Sequence, residues 1–192
     1  MDLNEKEIRL KTIKAKKMML LFSMLSIAMT FAGLTSAYIV SKARPDWLKD
    51  FELPIPFVIS TIVIFLSSIS IYIAKKEVNK NEVNKTTIWL FTTLGLGIIF
   101  IIFQFLGFNE LIGLGYFFTG AQSTITTSFL YVLTVLHLAH LFAGLIVLIV
   151  VIINNYKNKY KIEKLGFELA VTFWHFLGFL WLYLFVFLYF FR

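Results

Sequence analysis

Five long apolar stretches, separated by short polar ones, organise this sequence of 192 residues. They run from Met18 to Val40, Phe57 to Ala74, Ile88 to Leu106, Ser128 to Ile153 and Phe167 to Phe191. Each approaches or exceeds the length of about 20 residues that a helix needs to cross the hydrocarbon of a bilayer. Apolar residues recur on every side of each stretch, so no single buried face can be drawn. A helix that is hydrophobic all round is one surrounded by lipid or by other apolar helices. The last stretch is the plainest case, because between Phe167 and Phe191 only Glu168 carries a charge. The pattern predicts an all-α integral membrane bundle of five transmembrane helices. Pro45, Pro54 and Pro56 all fall in the first loop, where they cost no helical hydrogen bond.

Composition sharpens the class. Charged residues make up 15% of the chain, well under the roughly 25% typical of soluble domains. The absence of cysteine excludes disulfides, iron–sulfur clusters and thiolate metal sites. A net charge of +7 would suggest nucleic acid in a soluble protein. Here the cations sit between the spans, so topology accounts for them and no nucleic-acid partner is expected. Fourteen Lys and Arg lie in residues 1–17, the second loop and the fourth loop; four lie on the other side, at Lys42, Arg44, Lys49 and Arg192. The positive-inside rule then puts the N-terminus in the cytoplasm and the C-terminus in the periplasm. Residues 1–17 form a basic cytoplasmic segment ahead of a membrane domain at 18–192. Ile8, Leu10 and Ile13 lie among its cations, which suits either a short helix on the membrane surface or a solvated tail. No cleavable signal is evident.

A few polar residues stand out inside the spans. His137 and His140 are three apart, so they share a helical face about 5–6 Å apart. That spacing suits a metal, but the chain holds only one further histidine, His175. The simpler reading is structural: both are neutral and bond to hydroxyls, backbone carbonyls or a partner side chain, since a buried imidazolium without a carboxylate is disfavoured. Counting from the inner helix ends places His140 near the level of Leu180 and Trp181, with His137 slightly further out. Glu168 is either a proton carrier or a first-turn acid complementing the helix dipole. Trp174 and Trp181 read as packing and lipid-contact residues. Ala28, Ala32 and Ser36, with Gly33 beside them, form a small-residue face that lets another helix approach closely. The third loop, 107–127, has a single charge, Glu110, and is expected to fold against the membrane surface or a partner.

Two ordered sets of residues also carry a resemblance. Glu168, Trp174, His175, Phe176, Trp181 and Tyr189 are similar to the final helix of the heme-copper oxidase subunit III family. Ser128, Phe129, Leu133, Thr134, His137, His140 and Gly144 resemble its second signature, one helix earlier. Gln104 resembles a glutamine of the corresponding helix. The likeness covers about 18–191 and matches the short five-helix form found in bacterial cytochrome c oxidases and quinol oxidases. It implies a non-catalytic subunit in the bacterial inner membrane, with phospholipid held by this chain. It also implies that the chain has no catalytic, cofactor or metal residues of its own, because heme and copper belong to the partner subunits I and II. Two departures stand out. Many members have a carboxylate at the position of Ile27 and an aspartate at that of Gly178, so no proton or oxygen-path role is carried over to either. From the residues alone, a small transporter or channel is the alternative, its polar pathway running through Gln104, His137, His140, His175 and Glu168.

Overall fold

The computed structural model describes residues 3–44, 47–48, 53–120, 123–161 and 163–191. Five helices follow one another: α1 Leu3–Ser41, α2 Ile55–Asn79, α3 Val83–Gly113, α4 Ile125–Tyr156 and α5 Leu165–Phe191. A single 3-10 turn, Lys159–Lys161, precedes α5. All five helices are long and apolar enough to cross a membrane. α5 lies centrally and packs against α1, α2 and α4, while α3 closes the other side between α2 and α4. Large apolar side chains such as Phe65, Ile88, Phe91 and Ile146 stand exposed around the outside. In water such a surface would drive aggregation, whereas lipid is a good solvent for it. This is a multi-pass membrane protein.

The helix ends are set by local chemistry. Pro54 caps α2, with Pro56 in its first turn, where the missing amide hydrogen is not needed. α2 and α3 each end in a left-handed residue, Asn81 at φ 61° and Gly115 at φ 83°. Tyr116 N donates to Leu111 O and Gly115 N to Ile112 O; Glu82 N likewise donates to Glu77 O and Asn81 N to Val78 O. These paired bonds satisfy the last carbonyls of each helix. α4 opens with a reciprocal cap, Thr127 N to Thr124 Oγ1 at 3.3 Å and Thr124 N to Thr127 Oγ1 at 3.2 Å.

Two expectations about boundaries are corrected. The N-terminal segment is not a separate helix, because residues 3–17 continue into the first span as one helix of 39 residues. No glycine or proline falls within residues 3–17, so the helix extends beyond the apolar stretch. The third span does not stop at Leu106; α3 runs to Gly113, and the chain reverses only where Gly115 supplies the left-handed turn. The shortened third loop folds back onto this chain's own α4. Thr127 Oγ1 donates to Phe117 O at 3.1 Å, Ser128 Oγ to Phe118 O at 2.8 Å, and the Tyr131 hydroxyl to Tyr116 O at 3.1 Å.

Candidate functional site

The polar centre of the bundle is a row of hydroxyls on α2. Ser60, Thr61, Ser67 and Ser70 recur at helical spacing, and all but the partly buried Thr61 are buried. Two of them meet α5 and two meet α3. Ser67 Oγ accepts from Trp174 Nε1 at 2.9 Å, and Thr61 Oγ1 accepts from Trp181 Nε1 at 3.0 Å. Ser60 Oγ accepts from Gln104 Nε2 at 2.7 Å. Ser70 Oγ accepts from Thr93 Oγ1 at 3.1 Å and donates to Trp89 O at 3.0 Å. Where no water is present, such bonds across helices satisfy groups that would otherwise be costly. α2 is therefore cross-linked to α5 at two levels and to α3 at two more.

Trp174 sits at the tightest point. Its indole is 1% exposed and lies in a slot between α3 and α4. Both walls of the slot lack a side chain. A β-carbon on Gly97 would lie 2.9 Å from Trp174 Cη2 and 2.9 Å from Leu145 Cδ2. One on Gly144 would lie 2.7 Å from Leu177 Cδ1 and 3.4 Å from Trp174 Cε3. Gly144 thus lets α5 cross α4 closely, and Gly97 admits the far edge of the indole. The expectation that Trp174 and Trp181 touch lipid is corrected, because both are 1% exposed and both donate to hydroxyls of α2. The indole nitrogen needs an acceptor, and α2 offers one that lipid tails cannot.

The histidines part company. His140 Nδ1 lies 2.7 Å from Leu136 O, a carbonyl of its own helix, and its ring meets Phe31 of α1 edge-on at 5.8 Å. The backbone-bonded reading holds for His140. His137 is fully buried, with its ring 5.2 Å from that of Trp181 and 6.0 Å from that of Phe100. Among the described residues, neither of its ring nitrogens has a hydrogen-bond partner, so the expected bond to a hydroxyl or carbonyl is corrected. The nearest hydroxyl along its own helix face, Thr134, is turned back to Leu130 O, and aromatic rings occupy the space around it. His137, placed by counting slightly beyond Trp181, lies beside it instead. Gln104 is enclosed as well, with its carbonyl oxygen unpartnered.

Glu168 stands half-exposed in the first turn of α5, with Oε2 3.8 Å from Lys17 Nζ. Its position matches the first-turn acid. An exposed pair of this kind contributes about 1 kcal/mol at most. His175 is partly buried and lines a cavity between α5 and α2. Of the other residues suggested for a transport path, Gln104 and His137 are fully buried, His140 bonds its own helix and Glu168 stands exposed beside Lys17. On α1, Phe31, Thr35 and Tyr38 are the buried residues, and Thr35 Oγ1 lies 2.8 Å from the Tyr183 hydroxyl. Ala32, Gly33 and Ser36 are exposed and Ala28 is half-buried; a β-carbon on Gly33 would meet nothing within 4 Å. No described helix of this chain uses that small-residue face. Among the described residues, no group of three or more His, Cys, Asp or Glu could hold a metal ion.

Two contributors escaped the sequence reading. The α2 hydroxyls look like ordinary Ser and Thr; only their recurrence at helical spacing hinted at a shared face. Asn155 ties the C-terminal end of α4 to the N-terminal end of α3, donating to Thr87 Oγ1 at 2.8 Å and Val83 O at 3.2 Å.

Comparison with known proteins agrees with this architecture. The family model for cytochrome c oxidase subunit III matches residues 10–192. The chain is similar to cytochrome c oxidase subunit 3 of Thermostichus vulcanus, 28% identical over 176 residues that cover 88% of this chain and 84% of that protein. It is 28% identical to the Corynebacterium diphtheriae protein of the same name, over 84% of this chain and 81% of the relative. It is also 32% identical to cytochrome bo(3) ubiquinol oxidase subunit 3 of Buchnera aphidicola, over 69% of this chain and 67% of the relative.

Proposed function

This chain belongs to the cytochrome c oxidase subunit III family, and from that premise we propose that it is the non-catalytic third subunit of a respiratory heme-copper terminal oxidase. Such a complex reduces oxygen to water and moves protons across the membrane. The part assigned to this chain is to keep subunit I, and with it subunit II, assembled and turning over, with phospholipid packed against its outer faces. Heme and copper are assigned to those partners. The observation that carries the reading is the way the interior polar groups are used. Trp174 bonds Ser67, Trp181 bonds Thr61, Gln104 bonds Ser60 and Asn155 bonds Thr87, each joining one helix to another. This is the wiring of a rigid support. The relatives include subunits of both a cytochrome c and a quinol oxidase, and a supporting role serves either donor.

Removing the chain tests the proposal. Membranes from a deletion strain are expected to keep the heme spectrum of the oxidase and its initial oxygen consumption, while activity decays sooner during sustained turnover. Loss of a heme species while subunits I and II remain present would refute the non-catalytic assignment.

The setting we propose is a bacterial inner membrane with the N-terminus in the cytoplasm, supported by the distribution of Lys and Arg. A topology reporter fused after Arg192 should read the periplasm, and one placed within Lys157–Lys164 the cytoplasm. The opposite pattern would mean that the partner subunits, and not local charge, set the orientation.

A further inference from the structure

Midway along the outer side of α5 lies an open cavity of about 210 Å³, shared with α2. Thr61, Ile64, Ser68, His175, Gly178 and Phe179 line it. Two of these are polar groups with nothing to bond. Among the described residues, neither His175 nor the Ser68 hydroxyl makes a hydrogen bond, although almost every other Ser, Thr and Trp donor at this level does. Gly178 holds the two elements together, since a β-carbon there would stand 3.1 Å from Ser68 Oγ. The missing side chain leaves the notch open above the Ser68 hydroxyl.

Depth decides what can fill it. Leu165 and Phe191 bound α5, so His175 is about 15 Å from one end and about 24 Å from the other. Ser68 is about 17 Å from Asn79 and about 20 Å from Ile55. Both groups sit near the middle of a hydrocarbon layer about 30 Å thick, beyond the reach of headgroups. Acyl tails reach this depth but offer no acceptor. Polar groups left bare here are costly and call for a partner. Around the notch stand exposed apolar side chains, Phe65 at 64%, Phe179 at 71% and Leu182 at 39%. Such a rim suits the flank of another helix.

We propose that this notch receives a transmembrane helix of a neighbouring oxidase subunit, which inserts one mid-span carboxyl or carboxamide side chain between His175 and Ser68. The inference rests on the subunit III reading, because it needs a larger assembly to supply the helix. A neutral imidazole offers one donor and one acceptor and the hydroxyl offers a second donor, so a planar side chain with two polar atoms satisfies both residues at once.

Two measurements on the intact complex test this. A photo-reactive amino acid at Phe179 is expected to cross-link to another oxidase subunit, at a peptide within a membrane span that carries Asp, Glu, Asn or Gln. Adducts only with lipid or quinone, or only with a second copy of this chain, would overturn the proposal. So would a cross-linked span without any such residue. His175→Leu is expected to lower the share of this chain retained with the oxidase about three- to tenfold, the weight of one hydrogen bond between membrane helices, with His175→Gln retaining more. The melting of the isolated chain should not change, because His175 bonds nothing within it. Equal retention of wild type and His175→Leu would defeat the notch while leaving the subunit assignment standing. Failure of the unmodified chain to co-purify with heme would defeat the assignment itself.

Discussion

Replacing Trp174 by alanine is expected to destabilise the bundle by about 3–5 kcal/mol, the usual cost of emptying a large buried aromatic site. The indole is enclosed on all sides: Gly97 and Gly144 form its walls and Ser67 Oγ accepts its hydrogen bond. Its loss leaves a cavity at the junction of four helices together with a stranded hydroxyl on α2. Trp174→Phe separates the two effects. It keeps most of the packing and gives up the hydrogen bond, which in membrane proteins averages about 0.6 kcal/mol and reaches about 1.7 kcal/mol. Thermal unfolding of the purified chain in mild detergent measures both. Alanine and phenylalanine variants of equal stability would show that the slot contributes little and that only the hydrogen bond counts.

Gly144→Val should come next in size. The added β-carbon would start 2.7 Å from Leu177 Cδ1, so α4 and α5 must separate or Leu177 must leave its place. Overpacking of this kind costs about 1–3 kcal/mol, and the added branching of valine puts this case toward the upper end. Gly33→Val is the matched control. It adds the same side chain to a membrane helix where nothing lies within 4 Å, so the isolated chain should tolerate it. If both variants lower the melting temperature equally, the effect is one of glycine replacement in general and not of the α4–α5 crossing.

The number of spans was legible because hydrocarbon demands long, uniformly apolar helices, and that demand is written at nearly every position. The same uniformity hid the interior. In water, burial separates Trp174 from an exposed tyrosine by the company each keeps along the helix; in a membrane both faces are apolar, and the contrast disappears. The sequence therefore left Trp174 as a packing and lipid-contact residue, and the structure bears out only the packing, since it is among the most enclosed of the described residues. The α2 hydroxyls were passed over for a related reason. Ser and Thr in a helix commonly bond back to their own carbonyls, as Thr12 and Ser23 do on α1, so a hydroxyl does not announce a distant partner. His137 and Gly144 were picked out because they fit an ordered signature. Gly144 proved to mark a close helix crossing, while His137 bonds nothing. Helix ends were misjudged where polar helices outran apolar ones, at residues 3–17 and 107–113.

The Trp174 slot also bears on the order in which the chain is made. Synthesis proceeds from the N-terminus, so α5 enters the membrane after α1 to α4. Until it arrives, the recess between Gly97 and Gly144 is empty and the Ser67 hydroxyl lacks its donor. Ser67, Gly97 and Gly144 belong to three different helices, and residue 174 is the piece that engages them all. Closure of the interior therefore waits for α5, and a chain stopped short of it carries an open polar seam that a chain with α5 in place does not.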